Sequence, residues 1–418
     1  MPSSILPAGL DPQAWPIALT DLPPTAHVVG GAVRDALLGR CRSALDLDIV
    51  VEAGAIALAR AIAGRYGAGF VVLDPERAIA RVAFAAGTVD IAQQVGPSIE
   101  SDLQRRDFTI NAIAYQPHHQ QWVDPLEGRR DLLQRQLRMV APANLTDDPL
   151  RLLRAYRLSA QLDFAVEPTT AAAIAQRASH LGQVAAERVR AELDYLLETA
   201  AADRTLQSIE QIGLLADWLP PLTPTQHHTL TALGAAAQTL QQRWPTAPIT
   251  MPLPNGRSAI ATARLANLLG SDLMVAEAAL DRLKVSRADR RSLLAVVAAL
   301  AVLPAIHQTQ PLDRAGQYAF CKAAGDSFPA AVLLAIARGT EIEVLAEAIS
   351  RWQDPSDRLA HPCSPLSGNE LMAELNLPRG PIVGQLLLAL ERAQAIDQLS
   401  APADALAYAR QWLARKRP

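Results

Sequence analysis

Strand-like patterning is confined to the first third of this 418-residue chain, and that confinement limits the fold more than any other feature. Residues 27–115 alternate short β-rich runs with helical spacing. HVV (27–29) leads through Gly30-Gly31 into AVRDALLGR, whose apolar positions recur as on a helix. LDLDIVVE (45–52) alternates faces as a strand does, and AIALARAIAGRYG (55–67) reads as a helix closed by glycine. FVVLD, RVAFAA and VDIAQQ supply further strands. From about residue 148 onward alanine- and leucine-rich helical periodicity takes over, broken by proline-rich stretches at 219–225, 245–254 and 354–366. No fixed-period repeat is evident. The expected class is therefore α+β: a small mixed-sheet head followed by an all-α remainder.

This length accommodates two to four domains. Half of the residues are hydrophobic and 19% are charged, as in a folded protein. No run of 18 apolar residues predicts a membrane span, and MPSSILPAGLDPQAWP lacks the basic start and apolar stretch of a secretory signal. Cys41, Cys321 and Cys363 are few, odd in number and far apart, which suits free thiols in a reducing compartment. A cytoplasmic protein is expected. The net charge of −3 argues against a general nucleic-acid coat. Only Lys284, Lys322 and Lys416 are lysines, so arginine carries nearly all the positive charge. Arginine suits phosphate forks, although codon bias produces the same count.

Three short stretches carry chemistry. Gly30-Gly31, between a strand and a helix, offers backbone N–H groups at a partly positive helix start, and Arg34 in the first turns adds a donor for a triphosphate. The same turn also occurs as plain architecture. Asp46 and Asp48, two apart on a strand, point to one face. At 4 Å and an effective dielectric near 20 they repel by roughly 4 kcal/mol. Unless the pair simply sits on a solvated strand edge, a cation must offset that, and Mg²⁺ matches the oxygen ligands and a phosphate co-ligand. Two such ions suit nucleotidyl transfer. Asp90, on the later strand VDIA, is a candidate third carboxylate. RRDFTINAIAY (105–115) then places Arg105, Arg106, Asp107 and Asn111 at the opening of an expected amphipathic helix, where they offer phosphate and ribose contacts. Asp107 would also serve there as a helix cap.

In order, GGAVRD (30–35), DLD (46–48) and RRDFTINA resemble the bacterial-type, class II family of tRNA nucleotidyltransferases and poly(A) polymerases. The resemblance continues through DPLEGRRDL (124–132), DDPLRLLRAYRLSAQLDF (147–164), ERVRAEL (187–193) and SGNELMAELNLPRGPIVGQLL (367–387). It implies a polymerase-β-like catalytic head (1–139), a helical neck that recognises the nucleotide base (140–205), a helical body (206–310) and a tRNA-binding tail (311–418). It further implies Mg²⁺ as cofactor and tRNA, CTP and ATP as substrates.

The neck fits that role physically. Asp148 and Arg151, three apart, are expected on one helix face, and a carboxylate beside a guanidinium matches the amine and ring nitrogen of cytosine or adenine. An intrahelical ion pair is the plainer reading. By resemblance Arg154 bears on the base or triphosphate.

One departure stands out. CCA-adding relatives carry a longer, arginine-containing flexible loop before RRDFTINA, implicated in switching the pocket from C to A. Here VDIAQQVGPSIESDLQ crosses the gap without a basic residue. A shortened loop resembles the enzymes that add only CC and leave A to a separate enzyme. The other readings are full CCA addition, with another segment doing the loop's work, a poly(A) polymerase and a catalytically inactive RNA-binding protein. Poly(A) polymerases usually carry a strongly basic tail, whereas this C-terminus has Arg410, Arg415, Lys416 and Arg417.

Overall fold

The computed structural model describes residues 7–40, 45–245, 252–303, 310–399 and 402–416, so Cys41 and Arg417 lie outside the described residues. The chain packs as two compact units. One comprises residues up to Val184 together with Ile212–Leu214, and the other holds the remainder. The first part of the expected neck thus packs with the head.

In the first unit a seven-stranded sheet runs in the order β3-β4-β5-β2-β1-β6-β7. The strands are β1 (His27–Val29), β2 (Leu45–Val51), β3 (Gly69–Asp74), β4 (Ile79–Phe84), β5 (Gly87–Gln93), β6 (Ala114–Gln116) and β7 (Gln121–Val123). Helix α1 (Gly30–Leu37) follows β1 directly, and α2 (Ala55–Tyr66) crosses from β2 to β3 between two glycines in the left-handed region. Period-2 alternation decides the orientation of β2: Leu47 and Ile49 are buried, so Asp46 and Asp48 face the other way.

β2 and β5 are parallel, with Asp46 opposite Thr88 and Asp48 opposite Asp90. β4 and β5 form a hairpin that sets Arg81 opposite Asp90. These registers bring the carboxylates into adjoining rows on one sheet face.

The stretch 105–115 departs from the expected helix. After α3 (Ile99–Gln104) the chain makes a single 3-10 turn at Thr109–Asn111 and enters β6, which pairs with β1 through Val28 and Tyr115. The apolar residues Ile110, Ile113 and Tyr115 of this stretch are fully enclosed. Two helices relevant to the site follow α4 (Gly128–Leu133): α5 (Pro142–Asp147) and α6 (Leu150–Leu162).

The named elements of the second unit are all helices among its described residues. Arg264 is buried there against Asp203 at 2.8 and 3.0 Å and also donates to the carbonyls of Leu197 and Thr199. Some of the arginine excess is therefore structural. Arg314–Ala337 is long and apolar enough to cross a bilayer by composition, but Phe320, Phe328, Leu333 and Leu334 on it form the core of this unit. Cys321 is buried and Cys363 exposed, both as free thiols.

Candidate active site

The site forms where α1 begins. Gly30 has φ +70°, in the left-handed region, and a Cβ there would lie 3.0 Å from Asp48 Oδ2 and 3.4 Å from Arg106 Nη1. Glycine is required on both counts, because an L side chain resists that φ and would crowd the carboxylate. Backbone N–H groups at a helix start thus adjoin a carboxylate and a guanidinium. The half-buried Asp46 accepts from Thr88 Oγ1 at 3.1 Å.

Arg106 is held by Asp102, whose Oδ2 lies 3.1 Å from Nη2, and its buried Nε has no partner among the described residues. Arg105 is more exposed and lies 3.6 Å from Asp102. Asn144 on α5 donates to the carbonyls of Gln104 and Arg106 at 2.9 and 2.7 Å, while its own carbonyl accepts from Arg151 Nη1 at 2.9 Å. Asn144 therefore ties the RRD segment, through its side-chain amide, to the start of α6, through its main-chain carbonyl.

Three residues expected to touch nucleotide are bonded to one another in an internal frame. Asp107 is buried and accepts from Phe108 N (2.8 Å), Asn111 Nδ2 (3.0 Å) and Arg154 Nε (2.7 Å). Burial alone would raise its pKa; the Arg154 guanidinium and the Asn111 and Phe108 donors outweigh that and hold it below the usual carboxylate range. Asn111 in turn accepts from Arg34 Nη1 at 2.8 Å. Arg34, only 3% exposed, also grips Asp35 through Nε at 2.8 Å. The Arg34 guanidinium, expected to face a triphosphate, is divided between Asp35 and Asn111 in this structure.

Asp148 and Arg151 do not share a helix. Asp148 is extended (φ −139°) between α5 and α6, and Pro149 separates it from the first helical residue. They are neighbours nonetheless: Asp148 lends its carbonyl to Arg151 N and its Oδ1 to Leu150 N. Burial is the largest influence on Arg151 and lowers its pKa, opposed by Asp107 and Asp148. It stays protonated at neutral pH.

Asp90 is chelated by Arg81, with Nε–Oδ1 at 2.7 Å and Nη2–Oδ2 at 2.8 Å. Among the described residues no three His, Cys, Asp or Glu side chains are grouped as a metal cage. The two-carboxylate face of β2 remains a fitting cation site, since a phosphate-bound ion needs only one or two protein carboxylates. Sequence reasoning passed over Arg81, Thr88, Asp102 and Asn144. Only Arg81 had a signal: pairing Phe84 with Gly87 at the hairpin sets Arg81 opposite Asp90 by counting back three residues.

Known proteins resemble this chain. Residues 26–138 match the Poly A polymerase head domain, and residues 163–225 match the domain described as "Probable RNA and SrmB- binding site of polymerase A". The chain is 42% identical over 407 residues to the CC-adding tRNA nucleotidyltransferase of Synechocystis sp., covering 96% of each chain. It is 35% identical to the A-adding tRNA nucleotidyltransferase of Deinococcus radiodurans, covering 94% of this chain and 97% of that one. Among solved structures, a CCA-adding enzyme in complex with CTP superposes with a TM-score of 0.70 at 24% identity, covering 93% and 91% of the two chains. The Thermotoga maritima CCA-adding enzyme complexed with tRNA gives 0.67 at 23% identity over the same shares. These two structures support the fold. The carboxylate face, the glycine cradle and near-full-length relatives above 30% identity together make the chain a nucleotidyltransferase belonging to the class II tRNA nucleotidyltransferase and poly(A) polymerase family.

Proposed function

We propose that this enzyme adds cytidines, and stops after two, at the 3′ end of tRNA. The observation that carries the stop is the connection from β5 to the RRD segment. Only residues 94–98 lie between β5 and α3, and the whole stretch up to Gln104 has no basic side chain. A flexible, arginine-bearing loop has no place there. Names of relatives agree in kind: CC-adding enzymes of Synechocystis and Geobacter sulfurreducens are 42% and 33% identical. The A-adding relative at 35% keeps the opposite specificity in play as a test outcome.

In the reaction the RNA 3′-oxygen bonds to the α-phosphorus of CTP, the bond to the β-phosphate oxygen breaks, and pyrophosphate leaves. Asp46 and Asp48 would hold Mg²⁺, whose bound form supplies Lewis-acid stabilisation of phosphoryl charge. The amides of Gly30 and Gly31 and the Arg106 guanidinium bind the triphosphate. Asp148 accepts the exocyclic amine of the base and Arg151 donates to the ring nitrogen beside it. Asp107, Asn111 and Arg34 set the distance between cradle and base reader. The setting is the cytoplasm, where its substrates are made.

The deciding experiment incubates tRNA ending at the discriminator base with CTP and ATP together, and resolves the products by length. Two added nucleotides are expected. Efficient addition of a third, or A addition to a transcript already ending in CC, overturns the proposal. Base reading has its own check. Asp148→Ala should relax rejection of UTP and GTP by about 5- to 150-fold, corresponding to about 1–3 kcal/mol per base contact. Unchanged selectivity in kcat/KM across the four nucleotides would remove Asp148 from that role.

A further inference from the structure

Across the sheet face that carries Asp48, one row reads Val71 on β3, Arg81 on β4, Asp90 on β5 and Asp48 on β2, each opposite the next. Asp48 is flanked on one side by the Gly30 cradle and on the other by the Asp90–Arg81 pair. Arg81 uses Nε and Nη2 on Asp90. Its Nη1 has no hydrogen-bond partner among the described residues, and its side chain is 40% exposed, against 16% for Asp90. Beyond it, Val71 on the outermost strand is 52% exposed. A guanidinium locked side-on by a carboxylate keeps its charge and its orientation but presents its remaining N–H groups outward.

The triphosphate needs the helix-start side of Asp48. The other reactant, the RNA end, must then approach Asp48 from the side of β5 and β4. We infer that Arg81 is a positioning residue for the acceptor strand: held rigid by Asp90, it donates through Nη1 to a backbone phosphate near the RNA 3′ end, with Val71 beside the ribose. Asp90 acts through Arg81, and two carboxylates, Asp46 and Asp48, are left to hold the cation. The inference rests on RNA being the acceptor, as proposed above.

The test uses the full-length enzyme and a tRNA transcript ending at the discriminator base. Arg81→Ala should raise KM for the RNA about tenfold and lower the slope of log affinity against log salt by about one, as for the loss of one phosphate contact. KM for CTP should move little. Arg81→Lys should recover part of the affinity, since charge alone persists. Filter binding of the transcript without added metal should show the same loss. Asp90→Asn should reproduce the RNA effect, and the double variant should be no worse than either single one, because the two residues act as a unit. Unchanged RNA affinity in Arg81→Ala overturns the inference. So does a fall of 100-fold or more in kcat at saturating RNA for Asp90→Asn with KM unmoved, which would make Asp90 a third cation ligand. A wild-type enzyme that extends no tRNA would instead defeat the proposed function, independently of Arg81.

Discussion

Asp48→Asn should lower nucleotide addition by about 10³-fold while leaving the protein folded. Asparagine keeps the shape of the carboxylate beside Gly30, where a Cβ would lie 3.0 Å from Oδ2, so the turn need not move. What disappears is the negative charge proposed to hold a cation against the triphosphate. Such electrostatic stabilisation is worth several kcal/mol in a transition state, and about 4 kcal/mol corresponds to 10³ in rate. Single-turnover CMP incorporation and thermal melting measure rate and folding separately. A melting temperature that falls far enough to explain the lost activity by unfolding, or a rate within tenfold of wild type, would remove Asp48 from the cation site. Asp46→Asn should follow the same pattern, although its Thr88 contact gives the neutral side chain a ready partner.

Where local periodicity decides the structure, the sequence was readable. The alternation in LDLDIVVE places Asp46 and Asp48 outward because Leu47 and Ile49 must go inward, and no distant residue is needed to see it. Strand–Gly-Gly–helix at 27–37 was readable for the same reason. RRDFTINAIAY misled because its apolar spacing fits a helix as well as an edge strand. The open edge of β1 decided between them, and that contact spans more than 80 residues of chain, from Val28 to Tyr115. For Arg34 the local position in the first turns of a helix suggests a ligand and says nothing of Asn111, 77 residues away, which accepts from its Nη1. Pro149 was visible between Asp148 and Arg151, yet the expected common helix ignored it. The residue before a proline is steered to extended backbone, as Asp148 is. Contacts between residues far apart in the chain were the part that local pattern could not show.

The internal frame yields the second large effect. Asp107→Ala should destabilise the first unit by about 3 kcal/mol and lower addition by 100-fold or more, even under conditions where the protein remains folded. Alanine deprives Phe108 N and Asn111 Nδ2 of their acceptor inside the protein, and orphaned buried donors cost about 1–3 kcal/mol each. The loss of Arg154 adds less, because its side chain is 40% exposed and regains water. The functional loss has a different origin. Asp107 is bonded to both α6, through Arg154, and the turn at Asn111, which continues to Arg34 on α1. Without it the base reader is no longer braced against the phosphate cradle, and misplacement by about 1 Å can cost 10² in rate. Asp107→Asn should lie between, since the amide keeps two acceptor positions but turns a donor toward one of its partners. The pH dependence fixes the sign. The folded-state pKa lies below the unfolded value, so this carboxylate stabilises fully above about pH 4 and its contribution fades as pH falls through the folded pKa. The stability gap between wild type and Asp107→Ala, followed by denaturant titration, should therefore narrow below about pH 4. A gap that stays constant down to pH 2 would mean that packing, not the charge of Asp107, accounts for the loss.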